Sequence, residues 1–148
     1  MEVDVTTEIV IERPRREVAA YVTDPGNAPE WYSRIRRVDR ESPGLLEMGS
    51  RMGFVADFLG RELVYTYEVR EFVPNERLVM STSDGPFAME TTYTWGDTDR
   101  GGTIMALRNR GRPSGFSGIT APVMSMAMKR ANRGDLRRLK AILERGAG

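Results

Sequence analysis

The side chains of this sequence with chemistry to offer are tyrosines, carboxylates and arginines, because it contains no histidine and no cysteine. Without histidine, the commonest general base and the commonest metal ligand are gone. Without cysteine, disulfides, thiolate metal sites and thiol nucleophiles are excluded. A base for proton transfer would have to be a carboxylate of raised pKa or a bound water. Tyr65, Tyr67 and Tyr93 fall on alternating runs, with Thr91 in phase with Tyr93. Asn109 is in phase with Thr103, Met105 and Leu107. Inside a pocket, such polar groups orient a ligand carbonyl or hydroxyl. At a strand end they reach solvent, and the sequence leaves both readings open. Asp57 and Glu68 take the register opposite their aromatic neighbours, toward solvent or cross-strand pairs with Arg51, Arg70 or Arg108. Asp135 interrupts an apolar helical stripe, where a structural hydrogen bond or arginine pair is preferred over catalysis.

No carboxylate pair falls clearly on an inward face, so no catalytic residue is assigned. Scattered carboxylates make a poor metal site, and no metal or other cofactor is expected. Gly101-Gly102 reads as a hairpin turn rather than a phosphate cradle. The Ser-Gly pairs at 114–118 lack the strand–turn–helix setting of a nucleophile elbow.

These side chains need strands to carry them. Val3, Val5, Ile9 and Ile11 alternate with Glu2, Asp4, Glu8 and Glu12, a half-buried strand. Pro14 then opens a helix with Val18, Ala19 and Val22 on one face. Asp24-Pro25-Gly26-Asn27 is a break, and a second short helix holds Pro29 to Ser33. Further strands are predicted at Ile35 to Glu41, Arg51 to Phe58, Glu62 to Arg70, Leu78 to Thr82, Phe87 to Trp95, and from Thr103 to near Pro113. Turns are predicted at Ser42-Pro43-Gly44, Gly60-Arg61, Pro74-Asn75-Glu76 and Asp84-Gly85-Pro86. Short turns between successive strands argue for an antiparallel meander. From about Gly115 to Arg145 the period changes to that of a helix, with Met124, Met128, Ala131, Asp135, Leu139 and Ile142 on one stripe. The fold class is therefore α+β, with a curved antiparallel sheet around one long C-terminal helix and a space between them.

The chain has 148 residues, 40% hydrophobic and 29% charged, with a net charge of +1. One domain spanning 1–148 is expected, with no global field steering it to nucleic acid or anionic membrane. No apolar run approaches ~18 residues, so no membrane span is expected. Met1-Glu2-Val3-Asp4-Val5 lacks the regions of a signal peptide, and a cytoplasmic location follows as the expectation. Arg108, Arg110 and Arg112 alternate on an outer face among counter-charges, which reads as solvated surface.

Several stretches carry a resemblance. Ile11-Glu12-Arg13-Pro14 leads from a strand into a helix, and Pro29-Glu30-Trp31-Tyr32 forms a second-helix tryptophan segment. Glu68-Val69-Arg70-Glu71-Phe72-Val73-Pro74-Asn75-Glu76-Arg77-Leu78 is a strand–turn–strand run, and Gly101-Gly102-Thr103 opens the last strand. Asn132, Asp135-Leu136, Leu139-Lys140 and Glu144 mark the closing helix. In this order the chain resembles the START/Bet v 1-like (SRPBCC) superfamily, and within it the bacterial polyketide cyclase/dehydrase-type proteins. The resemblance implies a helix-grip fold, a seven-stranded antiparallel sheet curled around the C-terminal helix. It implies a hydrophobic cavity and small hydrophobic cargo, and it supplies no universal catalytic motif.

The expected ligand-binding residues are Trp31, Met52, Phe54, Phe58, Tyr65, Tyr67, Met80, Tyr93, Trp95, Met105, Leu107, Asn109, Met124 and Met128, with Ala131 beside them. Each taken singly is better read as a core residue; the set outlines a pocket. The small-residue run Ser114-Gly115-Phe116-Ser117-Gly118, with Met124, Met126 and Met128 after it, is expected to gate that pocket. The expected function is binding of a small hydrophobic molecule (polyketide, lipid, isoprenoid or quinone-like) by a monomer or weak homodimer. An aromatase/cyclase-like enzyme using tyrosine and carboxylate groups is the alternative, and a protein-interaction module with a vestigial pocket is a third reading.

Overall fold

The structure, a computed structural model, describes residues 2–41, 44–85, 87–116 and 118–146. Ser42, Pro43, Pro86 and Ser117, which the sequence places in turns and in the small-residue run, lie outside the described residues. In chain order the elements are β1 (Val3–Ile11), α1 (Arg15–Val22), a 3-10 turn (Pro25–Asn27), α2 (Ala28–Trp31), β2 (Ile35–Arg40), β3 (Arg51–Phe58), β4 (Arg61–Val73), β5 (Arg77–Asp84), β6 (Met89–Asp97), β7 (Thr103–Gly111) and α3 (Ala121–Arg145). The strands form one seven-stranded sheet in the order β1-β7-β6-β5-β4-β3-β2, and every neighbouring pair is antiparallel. This is the α+β helix-grip architecture expected from the sequence.

Alternation sets which face of each strand is buried. In β4, Leu63, Tyr65 and Val69 are buried, while Val64 between them is 57% exposed. The β4–β5 register shifts between Thr66 and Tyr67 and again between Val69 and Glu71. Such irregularities increase twist and bend the strand, which curls the sheet toward its apolar face. The opposite face carries charge pairs. Glu68 meets Arg51 across the strands at 3.2 Å, as expected, and Arg70 of its own strand, two residues on, at 2.6 Å. Asp57 instead pairs with Arg36 of β2 at 2.9 Å. Arg108, Arg110 and Arg112 each face a carboxylate, from Asp4, Glu90 and Glu2 respectively.

Two buried clusters fill the concave side. One gathers Ile11, Val18, Trp31, Met52, Leu78, Trp95, Met105, Leu107, Leu136 and Leu139 around α1 and the C-terminal half of α3. The other gathers Val3, Leu63, Tyr65, Met89, Phe116 and Met124 around the N-terminal end of α3. The buried positions of α3, Met124, Asn132, Asp135, Leu136 and Leu139, follow the helical period. Its far end is tied to β1, because Glu144 accepts the Glu12 N–H at 2.8 Å and Lys140 donates to the Val10 carbonyl at 2.7 Å.

Three boundaries differ from the sequence reading. The last helix begins at Ala121, not near Gly115, because Gly115 (φ +82°) and Gly118 (φ +79°) are left-handed and break the helix. Pro122 then sits in the first turn, where its missing N–H costs nothing. The sixth strand starts at Met89, which leaves Phe87 in the preceding loop. The fourth strand runs on to Val73, past the bulge that separates its two registers.

Two glycines separate the effects of space and backbone. Gly134 is exposed in α3, and a Cβ there would meet nothing within 4 Å. Gly134→Ala should raise stability by about 0.5–1 kcal/mol through helix propensity. At Gly111, a Cβ would lie 2.4 Å from the Ala88 carbonyl oxygen, which is backbone and cannot swing away. Gly111→Ala should lower stability by about 1–3 kcal/mol. Urea unfolding of the two variants should shift the midpoint in opposite directions.

Candidate functional site

The two clusters do not meet along their whole length. Between them lies a cavity of about 190 Å³, walled by the concave faces of β3 to β7, by α2 and by α3. Of the residues expected at a binding site, Trp31, Met52, Phe54, Phe58, Tyr65, Tyr67, Met80, Tyr93, Asn109, Met124 and Met128 line it, as does Ala131. Trp95, Met105 and Leu107 do not. They share the inward face but pack in the first cluster with Val18, Leu136 and Leu139, where α1 and the end of α3 close onto the sheet. Trp95 Nε1 is buried there without a hydrogen-bond partner among the described residues.

The wall also holds residues the sequence reading passed over. Tyr32 follows a four-residue helix, so no period points to its direction. Its ring lies 3.9 Å from that of Trp31, and its hydroxyl hydrogen-bonds that of Tyr93. Burial pushes both phenols well above their usual range, and the nearby Asp135 charge adds to this. Asp135, only 2% exposed, bonds the residue after Tyr32: its Oδ1 accepts the Ser33 N–H at 3.0 Å and the Ser33 hydroxyl at 2.9 Å. Burial raises its carboxyl above the ordinary value, outweighing the Ser33 bonds and the Arg138 and Arg34 charges that pull it down.

A second polar group crosses the cavity from helix to sheet. Asn132 Nδ2 donates to Asn109 Oδ1 at 2.7 Å, and Asn109 Nδ2 donates to Thr91 Oγ1 at 2.9 Å. Thr91 in turn hydrogen-bonds the Tyr67 hydroxyl, which burial pushes up and this bond partly restores. Asn109 is thus committed within the protein rather than free at a strand end. Asn132 and Asp135 are one helical turn apart, so one face of α3 presents both polar groups to the cavity.

At the other end, three phenylalanines close the space. Phe116 packs edge-on against Phe58 and Phe87, with centroids 6.2 and 5.9 Å apart, and Phe87 meets Tyr65 at 5.6 Å. Arg61 lies 5.0 Å over the Phe116 ring, and its Nη1 donates to the Ser114 carbonyl at 3.1 Å. Met124 is fully buried beneath this segment, Met128 lines the cavity, and Met126 points away at 73% exposure. Among the described residues, no group of three or more Asp, Glu, His or Cys could hold a metal ion. No helix is long and apolar enough to cross a membrane.

The Asp135 shift has a sign that can be tested. Its folded pKa lies above the unfolded one, so the ionised form opposes folding. That cost is fully present above the folded pKa and vanishes as pH falls below the unfolded value of about 3.8. Asp135→Asn keeps an Oδ1 acceptor for Ser33. It should melt no lower than the parent protein at pH 7, with any advantage shrinking in acid, as thermal melts across pH will read.

The architecture matches solved structures at low sequence identity, which bears on the fold alone. A START superfamily protein from Mycobacterium smegmatis superposes with TM-score 0.82 at 12% identity, over 96% of this chain and 97% of that one. The Zhui aromatase/cyclase from Streptomyces sp. R1128 gives TM-score 0.80 at 15% identity, over 100% and 97%. The major latex-like protein 151 of Panax ginseng gives 0.73 at 11% identity, over 95% and 96%. No curated protein sequence matches the chain. A family profile does, across residues 2–144, and the chain belongs to the family described as polyketide cyclase/dehydrase and lipid transport.

Proposed function

We propose that the protein binds a compact, largely apolar small molecule in the cavity between sheet and helix. The observation that carries this reading is the cavity itself: about 190 Å³, walled by aromatic and methionine side chains, with few polar groups. Size narrows the cargo. An apolar cavity of about 150 Å³ takes benzene. The space here therefore suits a one- or two-ring compound, such as a quinone-like or small aromatic polyketide molecule. A long lipid or isoprenoid chain would need the walls to part. The membership in a polyketide cyclase and lipid transport family supports the same class of cargo.

The Phe116 segment serves in this reading as the lid, with Arg61 as its latch. Two left-handed glycines flank Phe116 and give the segment backbone freedom that other residues lack. No nucleic-acid partner is included, because the arginine row on the outer face is matched by carboxylates.

Naphthalene and 2-naphthol are suitable probes by size and fluorescence. Binding should saturate with Kd on the order of 10 µM for the better of the two. Ala131→Leu fills the cavity from α3 and should weaken binding at least about tenfold while preserving the fold. Failure of any such probe to bind the parent protein, with an unchanged melting temperature, would sink the reading. Arg61→Ala removes the cation–π contact and the Ser114 bond, and should speed association and dissociation by roughly three- to tenfold in stopped-flow fluorescence. Equal rates in parent and variant would show that the lid opens without breaking the latch.

A further inference from the structure

Strand β1 is one edge of the sheet, and α3 runs alongside it. From Met126 to Glu144 the helix rises about 27 Å, the same reach as β1 from Asp4 to Glu12 at about 3.4 Å per residue. The two halves of this seam differ. In the C-terminal half, side chains of α3 satisfy the edge, since Lys140 donates to the Val10 carbonyl and Glu144 accepts the Glu12 N–H. An antiparallel strand turns the backbone groups of alternate residues to opposite sides, so Asp4, Thr6 and Glu8 aim theirs at this same open side. Among the described residues no hydrogen bond reaches them there. Lys129 stands three turns before Lys140 on the same side of the helix, and among the described residues it makes no bond. A groove of about 240 Å³ separates Asp4, Val5 and Thr6 on the strand from Ser125, Met126 and Lys129 on the helix. Met126 is 73% exposed at its rim, and Val123, one turn earlier, is 55% exposed.

An unpaired edge beside a groove is a template for one more strand. Charge identifies which strand. Glu2, Asp4 and Glu8 form an acidic row on the exposed side of this segment, while Val3, Val5 and Thr7 alternate inward. Arg108 answers Asp4, and Arg112 reaches Glu2 only at 3.9 Å. Glu8 lies opposite Ala106 and joins no ion pair among the described residues. A second copy paired about Thr6 would set Asp4 against Glu8, and like charges directly opposite are destabilising. A basic strand reverses that sign. We propose that the Asp4–Glu8 edge of β1 docks an extended segment of a partner protein as an eighth, antiparallel strand. Its residues opposite Asp4, Thr6 and Glu8 exchange backbone hydrogen bonds with them and carry lysine or arginine beside the two carboxylates. The residues between them are apolar and β-branched, and they turn inward toward Met126. Lys129 donates to a carbonyl of the docked segment, as Lys140 does to that of Val10. The inference draws nothing from the cavity and stands apart from the binding reading above.

The probe is a capped, fluorescein-labelled peptide, Arg-Val-Thr-Val-Arg, added to the full chain at low salt. Fluorescence anisotropy should saturate with Kd on the order of 100 µM. A peptide of the same composition without the alternation, Arg-Arg-Thr-Val-Val, should bind at least about tenfold more weakly. Methylating the backbone nitrogen of the central threonine removes an N–H that faces β1 and should abolish binding, whereas methylating a valine nitrogen, which faces away, should not. Glu8→Lys should weaken binding at least about tenfold at an unchanged melting temperature, since Glu8 is exposed and outside the cavity. In amide hydrogen exchange read by NMR, Thr6 and Glu8 should slow by about tenfold or more at saturating peptide. Absence of binding up to 1 mM (about ten times the expected Kd) overturns the proposal, as does equal binding of the scrambled or threonine-methylated peptide. Protection of the same amides in a peptide-free dimer would assign the edge to a second copy and overturn it too.

Discussion

A strongly curled sheet presents a concave face wider than one helix can cover, and α3 makes its tightest contact at only part of it. Leu136 and Leu139 seal the end over α1 and the central strands, where Trp95, Met105 and Leu107 are packed to near-complete burial. At the other end Met124 packs with Phe116 in the second cluster. Between them α3 carries Met128, Ala131, Asn132 and Asp135, which reach across without filling the gap. The cavity is thus the remainder of a packing problem, and it lies where the helix turns small and polar residues inward. The two carboxamides and the carboxylate are held because a buried polar group without a partner costs about 1–3 kcal/mol.

Much of this was legible in the sequence, and the reason is periodicity. A period of two names the face of a strand, so Phe54, Tyr65, Tyr67 and Tyr93 were placed inward by pattern alone. What period cannot give is depth along the strand. Trp95, Met105 and Leu107 obey the same alternation, yet they lie where helices close down rather than where they stand off. Tyr32 and Phe116 were harder still. One follows a helix of four residues, and the other sits between left-handed glycines, so neither belongs to a repeating pattern. Their positions follow from long-range contacts, with Tyr93 and with Arg61, that no local signal encodes.

Asp135 shows how the same residue reads differently at each level. On the helix stripe it is an interruption, and its bonds to Ser33 satisfy the structural reading: they tie α3 to the residue after Tyr32. That bonding is one-sided, however. Two donors on one oxygen leave the other to the cavity, and a desolvated carboxylate is a poor choice for holding two elements together when an asparagine could accept the same bonds.

The composition of the walls bears on how readily the cavity changes shape. Met52, Met80, Met89, Met124 and Met128 all face the cavity, spread over three strands and the helix. Unbranched side chains of this type change rotamer at little cost and keep contact as they move. The aromatic residues around Phe116 are fewer and stiffer, and Arg61 lies over the Phe116 ring. The methionines of the interior can therefore repack more readily than the ring cluster around Phe116. The polar end would stay fixed, because Ser33, Asn109 and Asn132 lock it to sheet and helix alike. The cavity thus joins a fixed polar end to a wall that can yield elsewhere.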